Sequence, residues 1–198
     1  MNSSSVIKSL EDEHNPNPET ALAYFYFTFR EERKQSVDEM LRSLIKQLCV
    51  RRPDTDTLKT LVEDQEKGHH PDTGVLQKTL VSAIRGFTRV YIVLDALDEC
   101  PSKNGDRDRL LTSLKWLYHA GCDTLHMLYT SRNEEDIKQK LNPLMPPLAA
   151  GGIDLEDYNA EDIGLHLDKI FSSWPFNSWT REIKDEARAD LIEKSEGM

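Results

Sequence analysis

Three carboxylates, Asp95, Asp98 and Glu99, stand within five residues of one another. They follow directly on an apolar run, Val90-Tyr91-Ile92-Val93-Leu94. Carboxylate oxygens suit a hard cation such as magnesium, and a carboxylate can also orient and deprotonate a water molecule. The order suggests a division of these tasks. The first acid, at the end of a buried strand, would hold the metal, and a later one would handle the attacking water. The plainer reading is a buried strand followed by an acidic turn that caps a helix. That reading suits a single acid better than Asp-x-x-Asp-Glu placed straight after five apolar residues.

In open α/β sheets ligands gather at the carboxyl ends of the strands, so this is the pattern of a Walker B segment. Its usual partner, a Gly-x-x-x-x-Gly-Lys-Ser/Thr phosphate loop, does not occur in these 198 residues. Half of a nucleotide site is present in the sequence and half is not. A second chemical candidate is Thr130-Ser131-Arg132, at the carboxyl end of the next expected strand. An arginine there can reach a γ-phosphate and report on the nucleotide. The alternative is a solvent-exposed arginine on an ordinary strand-to-helix turn. Other polar residues offer less. His69-His70 and His126 lack the companions at metal-ligand spacing that zinc requires. The former read as solvated loop residues and the latter as a core or edge histidine. Cys100 follows the acids, but the sequence places no histidine beside it to make a nucleophile.

These residues need a scaffold, and the chain alternates strand and helix as a parallel α/β sheet does. Leu22 to Phe29 reads as a first, aromatic-rich strand. Ser36 opens a helix, with Glu39 completing a capping box. Val37, Met40, Leu41, Leu44, Ile45 and Leu48 form its apolar stripe. A short helix near 56–66 and a helix over 73–86, stopped by Gly86, lead to the acid-bearing strand. A helix over 107–119 carries Leu110, Leu111, Leu114 and Leu117 inward. Thr124 to Thr130 is the next strand, followed by a short helix over 134–141. An irregular Pro- and Gly-containing stretch then gives way to a short strand, Ile153 to Leu155. Asn159 is read as the cap of a helix that Trp174-Pro175 breaks. A last helix over 179–195 points Ile183, Ala187 and Leu191 one way.

Composition limits the function classes. A net charge of −10 argues against a nucleic-acid partner or an acidic membrane surface. No apolar stretch approaches the ~18 residues that would span a bilayer. Three cysteines in no pairing pattern suit a reducing, cytoplasmic compartment. The first residues lack the charged and apolar regions of a secretory signal.

Four segments taken in order carry a resemblance. They are Tyr24-Phe25-Tyr26-Phe27, Gln35-Ser36-Val37-Asp38-Glu39-Met40-Leu41-Arg42-Ser43-Leu44, Val93-Leu94-Asp95-Ala96-Leu97-Asp98-Glu99-Cys100, and Thr130-Ser131-Arg132. The set resembles the NACHT class of STAND NTPases, and within it the nephrocystin-3-like N-terminal domain branch, abundant in fungal proteins that carry ankyrin or WD repeats. The likeness runs from about Ser5 to the end. It implies an ATP-dependent signalling switch in which Asp95 holds magnesium, Asp98 and Glu99 place and activate water, and Arg132 senses the γ-phosphate. It further implies a P-loop-NTPase-like α/β fold, a parallel sheet with flanking helices that lacks the first strand and the P-loop. Residues 1–172 would be a partial core and 173–198 the start of a helical domain, with both ends cut. Ser3-Ser4-Ser5-Val6-Ile7 would be the interior of the helix after the missing loop. The missing strand would lie between the Thr124 and Ile153 strands. On this resemblance the chain alone is expected to bind no cofactor and to catalyse nothing, although the family uses ATP and magnesium. The expected partners are other copies of itself or full-length relatives. The alternatives are a working or partner-completed ATPase, and a module that docks onto full-length relatives.

Overall fold

A computed structural model describes residues 3–14, 17–31, 36–53, 71–144 and 156–195. The chain divides into two compact units, Met1–Leu144 and Met145–Met198. The first contains a three-stranded parallel sheet, confirming an α/β fold of the expected kind, and no strand among the described residues precedes these three. Its elements are α1 (Ser3–His14), β1 (Thr20–Tyr26), α2 (Val37–Arg51), α3 (Thr73–Arg85), β2 (Arg89–Asp95), α4 (Asp106–His119), β3 (Leu125–Tyr129) and α5 (Glu135–Leu141). The order across the sheet is β1-β2-β3.

The register explains how the core forms. Ala23 lies beside Ile92, and Ile92 beside Met127, so one face of the sheet is apolar along all three strands. Against it pack the stripes expected of α2, α3 and α4: Leu41, Leu44 and Leu48; Leu76, Leu80 and Ile84; and Leu110, Leu114 and Leu117. The opposite face is covered differently. There α1 packs against β1 and β2, and Ile7 and Val93 are both buried. β3 alternates, with Leu128 41% exposed. His126 is an edge histidine, its ring stacked on Tyr91 at 5.2 Å.

The two sheet edges are treated differently. On β1, odd-numbered residues bond toward β2, as Phe27 N–H to the Asp95 carbonyl shows at 3.0 Å. Tyr24 therefore faces away from β2. Its N–H donates to Gln47 Oε1 at 3.0 Å and its carbonyl accepts from Gln47 Nε2 at 2.8 Å. A side-chain amide has the donor and acceptor of a peptide group, so Gln47 of α2 stands where a further strand would bond. At the other edge, no strand among the described residues pairs with the outer side of β3.

Several local expectations need correction. β1 begins two residues earlier than the sequence suggests and ends at Tyr26. Ser36 does sit at the N-cap of α2, but its side chain makes no capping hydrogen bond. The expected capping box does not form: Glu39 lies 3.9 Å from Arg42, and Asp38 accepts the Thr73 hydroxyl at 2.6 Å. Gly86 does end α3, but at φ −71°, so glycine's left-handed freedom is not what stops the helix. The helix over 56–66, His69-His70 and the strand over 153–155 lie outside the described residues.

In the second unit, α6 (Glu156–Phe171) and α7 (Arg181–Ser195) are joined by a turn holding an aromatic cluster. Phe176 and Trp179 meet edge to face at 5.0 Å, and Phe171 lies 6.1 Å from Trp179. α6 starts at Glu156, so Asn159 lies inside the helix and does not cap it. Of the residues expected to share one side of α7, Ile183 and Leu191 are each about half exposed. No helix among the described residues is long and apolar enough to cross a membrane.

Candidate functional site

The carboxyl end of β2 is a sharp turn. Asp95 is the last strand residue, Ala96 takes a left-handed conformation at φ 57°, and Leu97–Glu99 make one 3₁₀ turn. An alanine pays for that conformation because its Cβ crowds the following carbonyl. The reversal lets Leu97 point into the core, fully buried, while Asp95, Asp98 and Glu99 stay at the sheet's end. Ala96→Gly is accordingly expected to stabilise the fold by about 0.5–1 kcal/mol. The urea midpoint would show it, and a lower midpoint would mean that the turn is not strained.

Thr130, directly after β3, fixes the near side of the turn. Its hydroxyl donates to Asp95 Oδ1 at 2.7 Å and accepts the Ala96 N–H at 3.0 Å, while its carbonyl accepts the Leu97 N–H at 2.9 Å. The same Asp95 oxygen accepts the hydroxyl of Ser3, a buried residue in the first turn of α1. Asp95 thus sits where α1, β2 and the end of β3 meet. The sequence reading missed both hydroxyl partners. In the sequence Thr130 stands out only as the first residue of the Thr-Ser-Arg segment.

The other expected residues are brought together. Asp98 has a side chain only 9% exposed and faces Arg132, whose Nε lies 3.4 Å from Asp98 Oδ2. The Arg132 N–H also donates to Asp98 Oδ1 at 3.0 Å. The Arg132 side chain is otherwise 70% exposed. Glu99 points toward β1, where its Oε2 accepts the Phe29 N–H at 3.0 Å. Cys100 is fully buried, and burial, reinforced by the charge of Asp106, pushes its thiol up to about 11. A protonated, enclosed thiol is no nucleophile at neutral pH.

Among the described residues no group of three His, Cys, Asp or Glu side chains could cage a metal ion. One carboxylate with two hydroxyls beside it is nevertheless a fitting donor set for magnesium. That ion usually keeps its waters and is held by one or two carboxylates together with a phosphate. A separate cleft between α6 and α7 is lined by Asp168, Arg181, Lys184, Asp185 and Arg188. Its arginines already face its acids, Arg188 with Asp168 at 3.4 Å and Arg181 with Asp185 at 3.8 Å. Its remaining cation, Lys184, donates to the Asn177 carbonyl at 3.3 Å.

Residues 1–132 match the profile of the family described as nephrocystin 3, N-terminal. The chain belongs to that family. The match includes α1, all of β2 and the acid turn, and it ends at Arg132. No curated protein and no solved structure matches the chain significantly. In this nephrocystin 3 N-terminal domain the expected acids and arginine therefore lie within the matched span and converge at one end of the sheet.

Proposed function

We propose that this domain is the acid-bearing half of a NACHT-type, magnesium-dependent nucleotide switch, whose phosphate-gripping half lies outside these 198 residues. The observation that carries the reading is the convergence of Asp95, Asp98, Glu99 and Arg132 at the carboxyl ends of two adjacent parallel strands. Asp95, flanked by the hydroxyls of Ser3 and Thr130, would hold magnesium. When bound, that ion would neutralise phosphate charge as phosphoryl transfer proceeds. Glu99, held by the Phe29 amide, would take the proton of an attacking water. Arg132 would turn from Asp98 toward a γ-phosphate, and Asp98 would keep it in reach meanwhile. Without backbone amides and a lysine around the phosphates, these groups have nothing with which to retain a nucleotide.

Calorimetry separates the two halves. The unaltered chain is expected to give no micromolar signal with Mg-ATP. The same chain with a strand and Gly-x-x-x-x-Gly-Lys-Ser/Thr loop added ahead of Ser3 should bind it. A clear micromolar affinity in the unaltered chain would favour a self-sufficient ATPase. A folded graft that binds no nucleotide would overturn the reading. A module that docks onto full-length relatives is the second reading, and the outer side of β3 with its exposed Leu128 is the observation behind it.

A further inference from the structure

The acid turn is gripped from behind by a residue with no place in the chemistry above. Arg107, in the first turn of α4, has a side chain only 12% exposed. Its Nε donates to the Cys100 carbonyl at 2.9 Å, and a terminal nitrogen donates to the Asp98 carbonyl at 2.5 Å. Those two carbonyls lie on either side of Glu99. The other terminal nitrogen lies 3.6 Å from both Glu134 Oε2 and Asp136 Oδ1, at the start of α5. The Arg107 N–H adds a bond to the Pro101 carbonyl at 2.9 Å. One planar, permanently charged fork thus holds two carbonyls of the acid turn and two carboxylates of the loop that carries Arg132.

We propose that Arg107 is a positioning residue that joins the acid turn and the arginine loop into one mechanical unit. Thr130 ties the near ends of the two loops together, and Arg107 ties the far ends. Between them Asp98 meets Arg132, the pair that the proposed switch must open. With the far ends joined, opening that pair moves Arg132 without letting Glu99 drift. The link exists by its hydrogen bonds and ion pairs alone; its use rests on the nucleotide reading above.

The test is amide hydrogen exchange on the intact chain with no nucleotide present, so a failure of nucleotide binding cannot imitate a failure of the link. Arg107→Met keeps the apolar stem and removes every side-chain donor. It is expected to speed exchange by about tenfold in both 97–100 and 132–138, with the central amides of β2 unchanged. Glu134→Gln with Asp136→Asn leaves the grip on the carbonyls in place and removes only the far anchor. If the loops are one unit, that double variant also speeds exchange in 97–100, although neither substituted residue touches that turn. Arg107→Lys keeps the charge without the fork, so 97–100 should exchange fast and, if the loops are one unit, 132–138 should quicken with it. Should Arg107→Met not fold, the double variant decides, because Glu134 and Asp136 are each about half exposed. Loosening confined to 132–138 in the double variant would overturn the proposal, as would unchanged exchange in both loops of Arg107→Met.

Discussion

In a chain given a phosphate loop ahead of Ser3, Glu99→Gln is expected to slow ATP hydrolysis by about 10²–10⁴-fold while leaving Mg-ATP affinity close to that of its parent. The magnitude is that of a removed general base. The geometry makes the substitution a clean one. Glu99 Oε2 accepts the Phe29 N–H at 3.0 Å, and a glutamine carbonyl can accept the same bond. The side chain then stays in place and loses only its negative charge and basicity. Asp95→Ala should behave in the opposite sense, because its loss would weaken the magnesium-dependent part of binding itself. Initial rates under saturating Mg-ATP, paired with calorimetric affinities, separate the two. Equal turnover in Glu99→Gln and its parent would remove Glu99 from the role, and lost binding in that variant would show a structural one instead.

The second large effect concerns stability. Ile92 is fully buried at the centre of the central strand, beside Ala23 on one side and Met127 on the other. Ile92→Ala is expected to cost about 2–5 kcal/mol, the range for removing a large aliphatic side chain from a packed site. Domains of this size commonly have only about 5–15 kcal/mol in hand. The neighbours on its face are buried side chains of helices and strands, so the space cannot collapse without moving a whole element. Urea unfolding followed by circular dichroism would measure the loss. A shift below about 1 kcal/mol would mean that the face is less tightly packed than its burial indicates.

The strands and stripes were legible because they follow burial. Val90 to Leu94 is apolar at every position, and a strand covered on both faces has to be. The leucines of α2, α3 and α4 repeat at helical spacing for the same reason. The gathering of acids at the end of β2 was legible because Asp95, Asp98 and Glu99 follow directly on that apolar run. What could not be read were partnerships between residues far apart in the chain. Ser3 meets Asp95 across 92 positions, and nothing in a serine among serines announces a carboxylate. Arg107 gave no signal either, since an arginine in the first turn of a helix reads as a solvated charge. Glu39 misled for a related reason. Its spacing from Ser36 fits a reciprocal cap, but the carboxylate lies instead near Arg42, a contact that spacing alone cannot rank.

Gln47 has a consequence for how copies of this domain could assemble. An endless strand-by-strand polymer needs two receptive edges on every subunit, one to give and one to take. In the described part of the chain a side-chain amide of α2 occupies one of them at Tyr24. Gln47 thus denies one position of that edge, the Tyr24 peptide groups, to an incoming strand.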